Sequence, residues 1–564
     1  MHISQRLQQR LPFLKWPRPT AALLRTEFFA GLSVGLMVIP QGVAYAALAG
    51  MPLVTGIYAS LLPALVAVLF SASTRLSVGP TALTAMLVTA SLSGMAVSGS
   101  NEWVHLAVWL ALLSGVLQIV LGYARFGWLL NLVSAPVLMA FTQGAAVIII
   151  ASQLPAMLGL GQGWSSLRQF AQWDLPSLAF GLATLGVLLI AKKRQPTFPA
   201  VLLVVALSAA LSWGLGLEAM GTPLVGHLPQ GFPSLYWPAG IDWETLKQLL
   251  LPAMVITLVS FLETASSAKV DSQRKGQHWD QDQDLIGQGM GKLASALSGA
   301  FPTSSSFSRS ALNLYAGAQT GWATVFSVLV ILVSLQFFTP VLHHVPKSVL
   351  AAIVVATVYG LFKPTAFVRL LKVHRVEGGI SLMTFGITLA SAPRLYWGVL
   401  AGVVMGLSHF LHTRLHPRII EVGLHPDGSL RDRHLWQLPP LAPQLYALRM
   451  DADLDFAAAN NFERTVTDHL SQHPETRHVC LFAQPINRVD ATGVETFGQL
   501  RKQLDTRGIT LHISGIKLPV ETALRKAGEL PQGPGLLLYR TDAEALLALG
   551  QLQALPDDIA AAAI

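Results

Sequence analysis

The chain has 564 residues, of which 52% are hydrophobic and 12% charged, about half the charged fraction of an ordinary soluble domain. That balance excludes a soluble globular enzyme and places the chain among polytopic membrane proteins. A formal charge of +8 would suit a nucleic-acid partner, but the cations gather at the ends of apolar runs, so no nucleic acid is expected.

Residues 1–26 read as a cytoplasmic segment. The stretch Ser4-Gln5-Arg6-Leu7-Gln8-Gln9-Arg10-Leu11-Pro12-Phe13-Leu14-Lys15-Trp16 mixes arginines with Trp, Phe and Leu. It predicts a short helix lying at the membrane interface rather than a cleavable signal peptide. Apolar runs of spanning length then fall at about 27–48, 52–70, 80–93, 103–123, 128–152, 175–191 and 197–215, and after a polar connection at about 246–268, 284–299, 307–317, 321–340, 346–361, 379–392 and 395–412. They predict a transmembrane domain over 27–415 with about seven plus seven segments. With the N-terminus inside, alternation puts Arg6, Arg10, Arg75, Arg125, Lys192, Lys193, Arg194, Lys269, Lys363, Arg369 and Arg414 on the cytoplasmic side. Only Arg168, Lys247, Lys347 and Arg394 fall outside, as the positive-inside rule expects. An odd number of segments per half makes the second half an inverted repeat of the first.

Two broken stretches stand at corresponding places in the halves. In the first half, Pro40-Gln41-Gly42-Val43-Ala44-Tyr45-Ala46 interrupts the first run, and Leu76-Ser77-Val78-Gly79-Pro80-Thr81-Ala82-Leu83 opens the third. In the second half, Glu263 lies in the eighth run, and Phe301-Pro302-Thr303-Ser304-Ser305-Ser306-Phe307-Ser308-Arg309-Ser310 opens the tenth. Thr81 and Thr303 each follow a proline, and each comes forty residues after a polar residue, Gln41 or Glu263 (81 − 41 = 303 − 263). That match predicts that Gln41 and Glu263 are equivalent positions. Facing half-helix N-termini offer unpaired N–H groups and partial positive charge, which suits an anion. Ser306 and Ser308 add hydroxyls, Arg309 a fixed charge, and Gln41 and Tyr45 share one helix face beside them. Small residues also serve close packing, but packing does not account for an arginine. Glu263 is costly inside a span unless paired, wet or protonated. Burial and a nearby cation pull its proton affinity in opposite directions, so it is a candidate proton carrier, the alternative being a fixed ion pair. His343-His344 reads as an interfacial pair with spacing that suits no metal site. Asp280-Gln281-Asp282-Gln283-Asp284 lacks the glycine and final Glu of a calcium loop and reads as a solvated turn. No metal or cofactor is expected.

Charged residues become frequent from about Glu421. Residues 416–442 read as a linker, 443–550 as a soluble α/β domain and 551–564 as a tail. Strands are expected at 445–454, 479–482 and 509–514, and helices at 457–469, 494–504 and 520–527. The single Cys480 excludes an intramolecular disulfide and reads as a buried strand residue. Arg488-Val489-Asp490-Ala491-Thr492-Gly493 opens a helix, with Asp490 and Thr492 as candidate caps and Thr492 also a candidate site of regulatory phosphorylation.

These motifs together resemble the sulfate permease (SulP) family of anion transporters. The resemblance runs through Pro40-Gln41-Gly42-Val43-Ala44-Tyr45-Ala46, Ser77-Val78-Gly79-Pro80-Thr81-Ala82, Phe301-Pro302-Thr303 and Ser308-Arg309-Ser310. It continues into a C-terminal STAS domain through Val489-Asp490-Ala491-Thr492-Gly493. It implies an α-helical polytopic membrane protein, with about fourteen spans as a 7+7 inverted repeat of core and gate modules plus a cytoplasmic STAS domain. It also implies substrate binding by Gln41, Tyr45, Thr81, Ala82, Ser306, Ser308 and Arg309, and proton coupling through Glu263. It further implies a homodimer, an elevator-like step and an inner-membrane location with both termini cytoplasmic. The family's anti-sigma-antagonist pattern of Asp-Ser-Ser/Thr-Gly is broken here by Ala491. The expected function is secondary transport of sulfate or a similar small oxyanion by proton symport, and not enzymatic catalysis. Bicarbonate or a C4-dicarboxylate, with sodium as the coupling ion, is an alternative. A third reading is a signalling protein whose STAS domain reports anion binding to a cytoplasmic partner.

Overall fold

The computed structural model describes residues 11–160, 173–194, 200–229, 231–276, 278–337, 339–530, 533 and 535–551. The start of the expected interfacial helix, Arg168 and the tail beyond 551 lie outside them. Two compact units divide at 406/407.

The first unit is helical. Its first half holds α1 (Ala21–Leu48), α2 (Leu62–Phe70), strand β1 (Val78–Gly79), α3 (Ala82–Leu92), α4 (Asn101–Tyr123), α5 (Ala135–Met157), α6 (Leu175–Arg194) and α7 (Ala200–Gly214). Its second half holds α8 (Trp243–Lys275), α9 (Gln281–Leu297), strand β2 (Ser304–Ser305), α10 (Phe307–Tyr315), α11 (Trp322–Phe337), α12 (Thr339–His343), α13 (Lys347–Tyr359), α14 (Thr365–Val373), α15 (Arg375–Ala390) and α16 (Tyr396–Leu415). Among the described residues five helices are long and apolar enough to cross a membrane alone, those beginning at Ala21, Asn101, Ala135, Leu175 and Trp243. The runs at 80–93 and 307–317 become short helices entered through β1 and β2. The run at 52–70 splits into a turn, Thr55–Tyr58, followed by α2.

Helix contacts fall into two groups. One gathers α1, α2, α4, α8, α9 and α11; the other gathers α5, α6, α13 and α15. Within the first group, α9 makes its approaches through glycine. A Cβ on Gly289 would sit 2.7 Å from the Gly115 carbonyl of α4, and one on Gly287 2.7 Å from the Ser71 backbone beyond α2. Backbones this close are the usual basis of helix association where water supplies no hydrophobic drive. Glu27 fastens α1 to the turn before α11, its Oε1 accepting from the N–H groups of Gln319 (2.9 Å) and Thr320 (2.8 Å).

One charge departs from the sequence reading. Asp284 is not in a solvated turn. It is fully buried on α9 and accepts from Ser71 Oγ, Ser73 N (2.9 Å), Ser73 Oγ (2.5 Å) and Trp279 Nε1 (2.7 Å). The helix begins at Gln281, with Asp280 as its N-cap, so Asp284 already faces the protein. Arg75, expected above on the cytoplasmic side, is ion-paired with Asp271 of α8.

The second unit is a six-stranded sheet of order β4-β3-β5-β6-β7-β8: β3 (Ile419–Leu424), β4 (Leu430–Asp432), β5 (Leu445–Met450), β6 (His478–Phe482), β7 (Thr510–Ser514) and β8 (Leu536–Tyr539). From β5 to β8 the strands run parallel, while β3 pairs antiparallel with both β4 and β5. The segment expected as a linker therefore supplies two strands. Side chains alternate between two cores, as the two-residue strand period requires. Tyr446, Leu448, Val479 and Leu481 pack with α17 (Ala459–Gln472) and α18 (Ala491–Thr506). Ala447, Cys480 and Phe482 pack with α20 (Asp542–Gln551), which follows α19 (Leu518–Lys526).

Asp284→Ala would leave several buried donors without an acceptor, at about 1–3 kcal/mol for each group left unsatisfied. The detergent-solubilised variant is expected to melt several degrees below wild type in a thermal-shift scan, while Asp282→Ala, a half-buried carboxylate that accepts from Gly127 N–H, moves much less.

Candidate anion-binding site

The two broken segments meet. β1 and β2 pair antiparallel, Val78 opposite Ser305 and Gly79 opposite Ser304. The bond from Ser306 N–H to Ser77 C=O (3.0 Å) and that from Ser77 N–H to Ser310 Oγ (3.0 Å) extend the join. A two-residue ladder cannot satisfy a whole broken span, so side chains take the remaining groups, as irregular backbone at membrane depth requires.

Thr81 is the N-cap of α3. Its Oγ1 accepts from Thr84 N–H (3.3 Å), and Thr84 Oγ1 accepts from Thr81 N–H (3.3 Å), a reciprocal capping box. Ala82 is the first helical residue. The N-cap of α10 is Ser306, not Thr303. The equal forty-residue spacings therefore do not mark equal positions: the second cap comes three residues later than the proline match implies. Ser306 Oγ accepts from Arg309 N–H (3.5 Å) and contacts Ser308 Oγ (3.3 Å), and Ser308 is exposed. Ser306 is thus occupied with capping.

Thr81 also reaches α8. Its Oγ1 lies 3.1 Å from Glu263 Oε2, and the Ser304 side chain lies at the same carboxyl. Arg309 is fully buried. Its Nε donates to Ser77 Oγ (3.3 Å) and its Nη1 to Gln41 Oε1 (3.4 Å) of α1. Two further donors, Arg309 Nη2 and Gln41 Nε2, are buried with no partner among the described residues. Gly79 makes room for the guanidinium, since a Cβ there would lie 3.3 Å from Nη2. Tyr45, one turn after Gln41, is buried and interacts electrostatically with Arg309. The structure therefore brings Gln41, Tyr45, Thr81, Ala82, Glu263 and Arg309 to one locus, with Ser306 and Ser308 at its rim. The expected alternative of a fixed Glu263–Arg309 ion pair is not what the hydrogen bonds show: the carboxylate is held by hydroxyls and the guanidinium by Gln41 and Ser77.

Sequence reasoning missed Lys292. It is fully buried on α9, and its Nζ donates to Gln118 Oε1 (2.7 Å) of α4 and Ser260 Oγ (2.8 Å) of α8. Ser260 C=O accepts from Ser304 Oγ (3.2 Å), so a polar chain links Lys292 to the Glu263 carboxyl, which both Lys292 and Arg309 influence electrostatically. The signal was present: a lysine in the middle of an apolar run, flanked by Gly291, has no nearby span end to snorkel to.

In the second unit Asp490 alone caps α18. Its Oδ1 accepts from Gly493 N–H (2.8 Å), and its Oδ2 takes Phe456 N–H (2.9 Å). Thr492 is exposed and makes no cap, which corrects the shared role expected for it. Asp490→Ala is expected to cost about 1 kcal/mol or more and to speed amide exchange at the start of α18. Thr492→Ala should leave exchange there unchanged in the full-length chain.

The family model described as "Sulfate permease family" matches residues 24–384, and the one described as "STAS domain" matches residues 440–545. The chain is 31% identical over 531 residues to a probable sulfate transporter 4.2 of Arabidopsis thaliana, covering 89% of this chain and 78% of that one. It is 30% identical over 519 residues to a probable sulfate transporter of Mycobacterium tuberculosis, covering 90% and 92%. Its fold matches murine Solute Carrier 26 family member A9, an anion transporter in the inward-facing state, with a TM-score of 0.85 at 19% identity over 97% of this chain and 95% of that one. It also matches the transmembrane domain of a cyanobacterium bicarbonate transporter, with a TM-score of 0.58 at 20% identity over 69% and 98%.

Proposed function

Since the chain belongs to the sulfate permease family and carries a STAS domain, we propose that it is a secondary active transporter of sulfate or a similar small oxyanion, coupled to protons through Glu263. The observation that carries this reading is the pair of buried, unpartnered donors, Arg309 Nη2 and Gln41 Nε2, beside the N-termini of α3 and α10. Buried donors want acceptors, and an oxyanion supplies several at once. A charged guanidinium and helix N-termini both favour a negative ligand.

Charge counting supports a divalent cargo. With Lys292 in its protonated form, Arg309 and Lys292 bring two positive charges and Glu263 one negative. Protonating Glu263 raises the local surplus from one to two, matching sulfate. Its deprotonation on the inner side leaves one uncompensated anion charge and favours release. The relatives named sulfate transporters agree with this cargo. Alternating access would come from the group built on α1, α2, α4, α8, α9 and α11, which carries the site, sliding against the group of α5, α6, α13 and α15 in an elevator-like step. The fourteen-span count, which includes the shorter apolar helices, the inner-membrane location, the cytoplasmic termini and the homodimer belong to the same proposal. Thr492, open to solvent, is its regulatory position.

Uptake of labelled sulfate into proteoliposomes under an imposed pH gradient, with a panel of unlabelled anions and with or without sodium, tests the reading. Glu263→Gln is expected to abolish gradient-driven accumulation while leaving sulfate exchange measurable. Gradient-driven uptake at the wild-type rate in that variant would falsify proton coupling through Glu263. Lys292→Met is expected to weaken competition by divalent anions about tenfold or more relative to monovalent ones, a difference of about 1.4 kcal/mol. An unchanged ratio removes Lys292 from the charge balance.

A further inference from the structure

Among the described residues two clusters of ligating side chains lie away from the anion site, and one of them carries a buried ring nitrogen. Glu218, His343 and His344 each offer one ligand atom, and these atoms all lie within 4.8 Å of one another. Glu218 Oε1 and His343 Nε2 are 3.4 Å apart. The rings of His343 and His344 have centroids 4.8 Å apart at 88°, and His227 places its ring 5.1 Å from His343 at 59°. Two imidazoles bound to one tetrahedral ion, with metal–nitrogen bonds near 2.0–2.1 Å, have ring centres about 5 Å apart. Moreover, His343 Nδ1 is buried without a partner among the described residues. A histidine with a buried, unpartnered ring nitrogen beside a second imidazole and a carboxylate has the makings of a ligand set.

The backbone holds the group together. Val225 N–H donates to Val345 C=O (2.9 Å), Gly226 N–H to His343 C=O (3.2 Å) and Lys347 N–H to Pro223 C=O (2.9 Å). Gly226 adopts φ +77°, a turn that glycine makes without strain and that places His227 beside His343. The connection after α7 is thereby stitched to the turn between α12 and α13. The adjacent histidines alone suggested an interfacial pair because the carboxylate comes from a different part of the chain.

We propose that Glu218, His343 and His344 form a binding site for a divalent transition-metal cation of the zinc class, with His227 at its edge. Two imidazoles and one carboxylate are borderline ligands that suit Zn2+ over Mg2+ or Ca2+. Three protein ligands leave a fourth position for water or for His227 after a side-chain rotation. The ion would clip the α7–α8 connection to the α12–α13 turn. Those two segments lead into α8 of one helix group and α13 of the other, which the transport reading sets in relative motion, so metal binding would slow transport. That consequence rests on the transport reading, whereas the site itself does not.

The test uses full-length protein, freed of any polyhistidine tag and stripped with EDTA, titrated with Zn2+ against a chromophoric chelator and with Co2+ by visible absorption. Wild type is expected to bind one Zn2+ per chain in the micromolar range and to give the intense Co2+ bands of a tetrahedral site. His343→Ala/His344→Ala should lose about 100-fold or more in affinity together with those bands, and Glu218→Gln, at an exposed position, about 10-fold. Thermal melts in EDTA should be alike for all three, showing that the variants fold. Equal Zn2+ affinity in wild type and the double variant, or no wild-type binding tighter than about 1 mM, overturns the site. In proteoliposomes, Zn2+ should reduce sulfate uptake by wild type, EDTA should restore it, and the double variant should be indifferent. Metal binding without any transport would count against the transporter reading and leave the metal site standing. Transport without metal binding would do the reverse.

Discussion

The antiparallel join of β1 to β2 is the constraint on which the rest of the membrane unit depends. A span broken at depth exposes backbone groups that lipid cannot satisfy. Here two broken spans satisfy part of each other's need, Val78 against Ser305 and Gly79 against Ser304. What the ladder leaves over is met by caps: Thr81 with Thr84 on one side, and Ser306 with Arg309 N–H on the other. Because the strands run in opposite directions, α3 and α10 leave the join from opposite ends. The polar groups of α1 and α8 then fall beside it, Gln41 against Arg309 and Glu263 against Thr81.

Close helix packing makes that arrangement affordable. Gly287, Gly289 and Gly291 let α9 approach its neighbours at backbone distance, and Gly79 leaves room for the Arg309 guanidinium. The same helix carries Asp284 at its first turn and Lys292 further along, each fully buried and each hydrogen-bonded by neighbouring elements. Asp284 braces α9 against the segment after α2. Lys292 ties α4 and α8 to the carboxyl at the site. One helix therefore serves both rigidity and charge, and its glycines are what place its two ionic side chains where partners can reach them.

The site is electrically uneven in a way that suits a sulfate permease. Its cations are fixed in the protein by Gln41, Ser77, Gln118 and Ser260, while its single acid is held by hydroxyls. Hydroxyls accommodate a carboxyl with or without its proton, because they can donate or accept. An ion pair would instead fix it in one state. On the proposed proton coupling, that difference would let Glu263 change charge while Arg309 keeps its own.

By itself the sequence determined the class of molecule, the division into apolar and soluble parts, the broken segments and most of the candidate site. Those features are written in local chemistry: long apolar runs, Pro and Gly where a span must break, and charges where apolar residues belong. It also placed the central strands and helices of the STAS domain, because buried parallel strands and amphipathic helices have short, recognisable periods. The tertiary structure decided what depends on partners distant in the chain. Asp284 reads as solvated until Ser71, Ser73 and Trp279 close over it, and Thr492 reads as a cap until Asp490 takes the Gly493 N–H and leaves Thr492 exposed inside the first turn. The 40-residue coincidence suggested matching positions, yet the helix starts differ by three residues, since caps follow backbone geometry rather than counting. Strands β3 and β4 were missed because each is stabilised by pairing with a neighbour, and periodicity in one segment carries no record of the strand beside it.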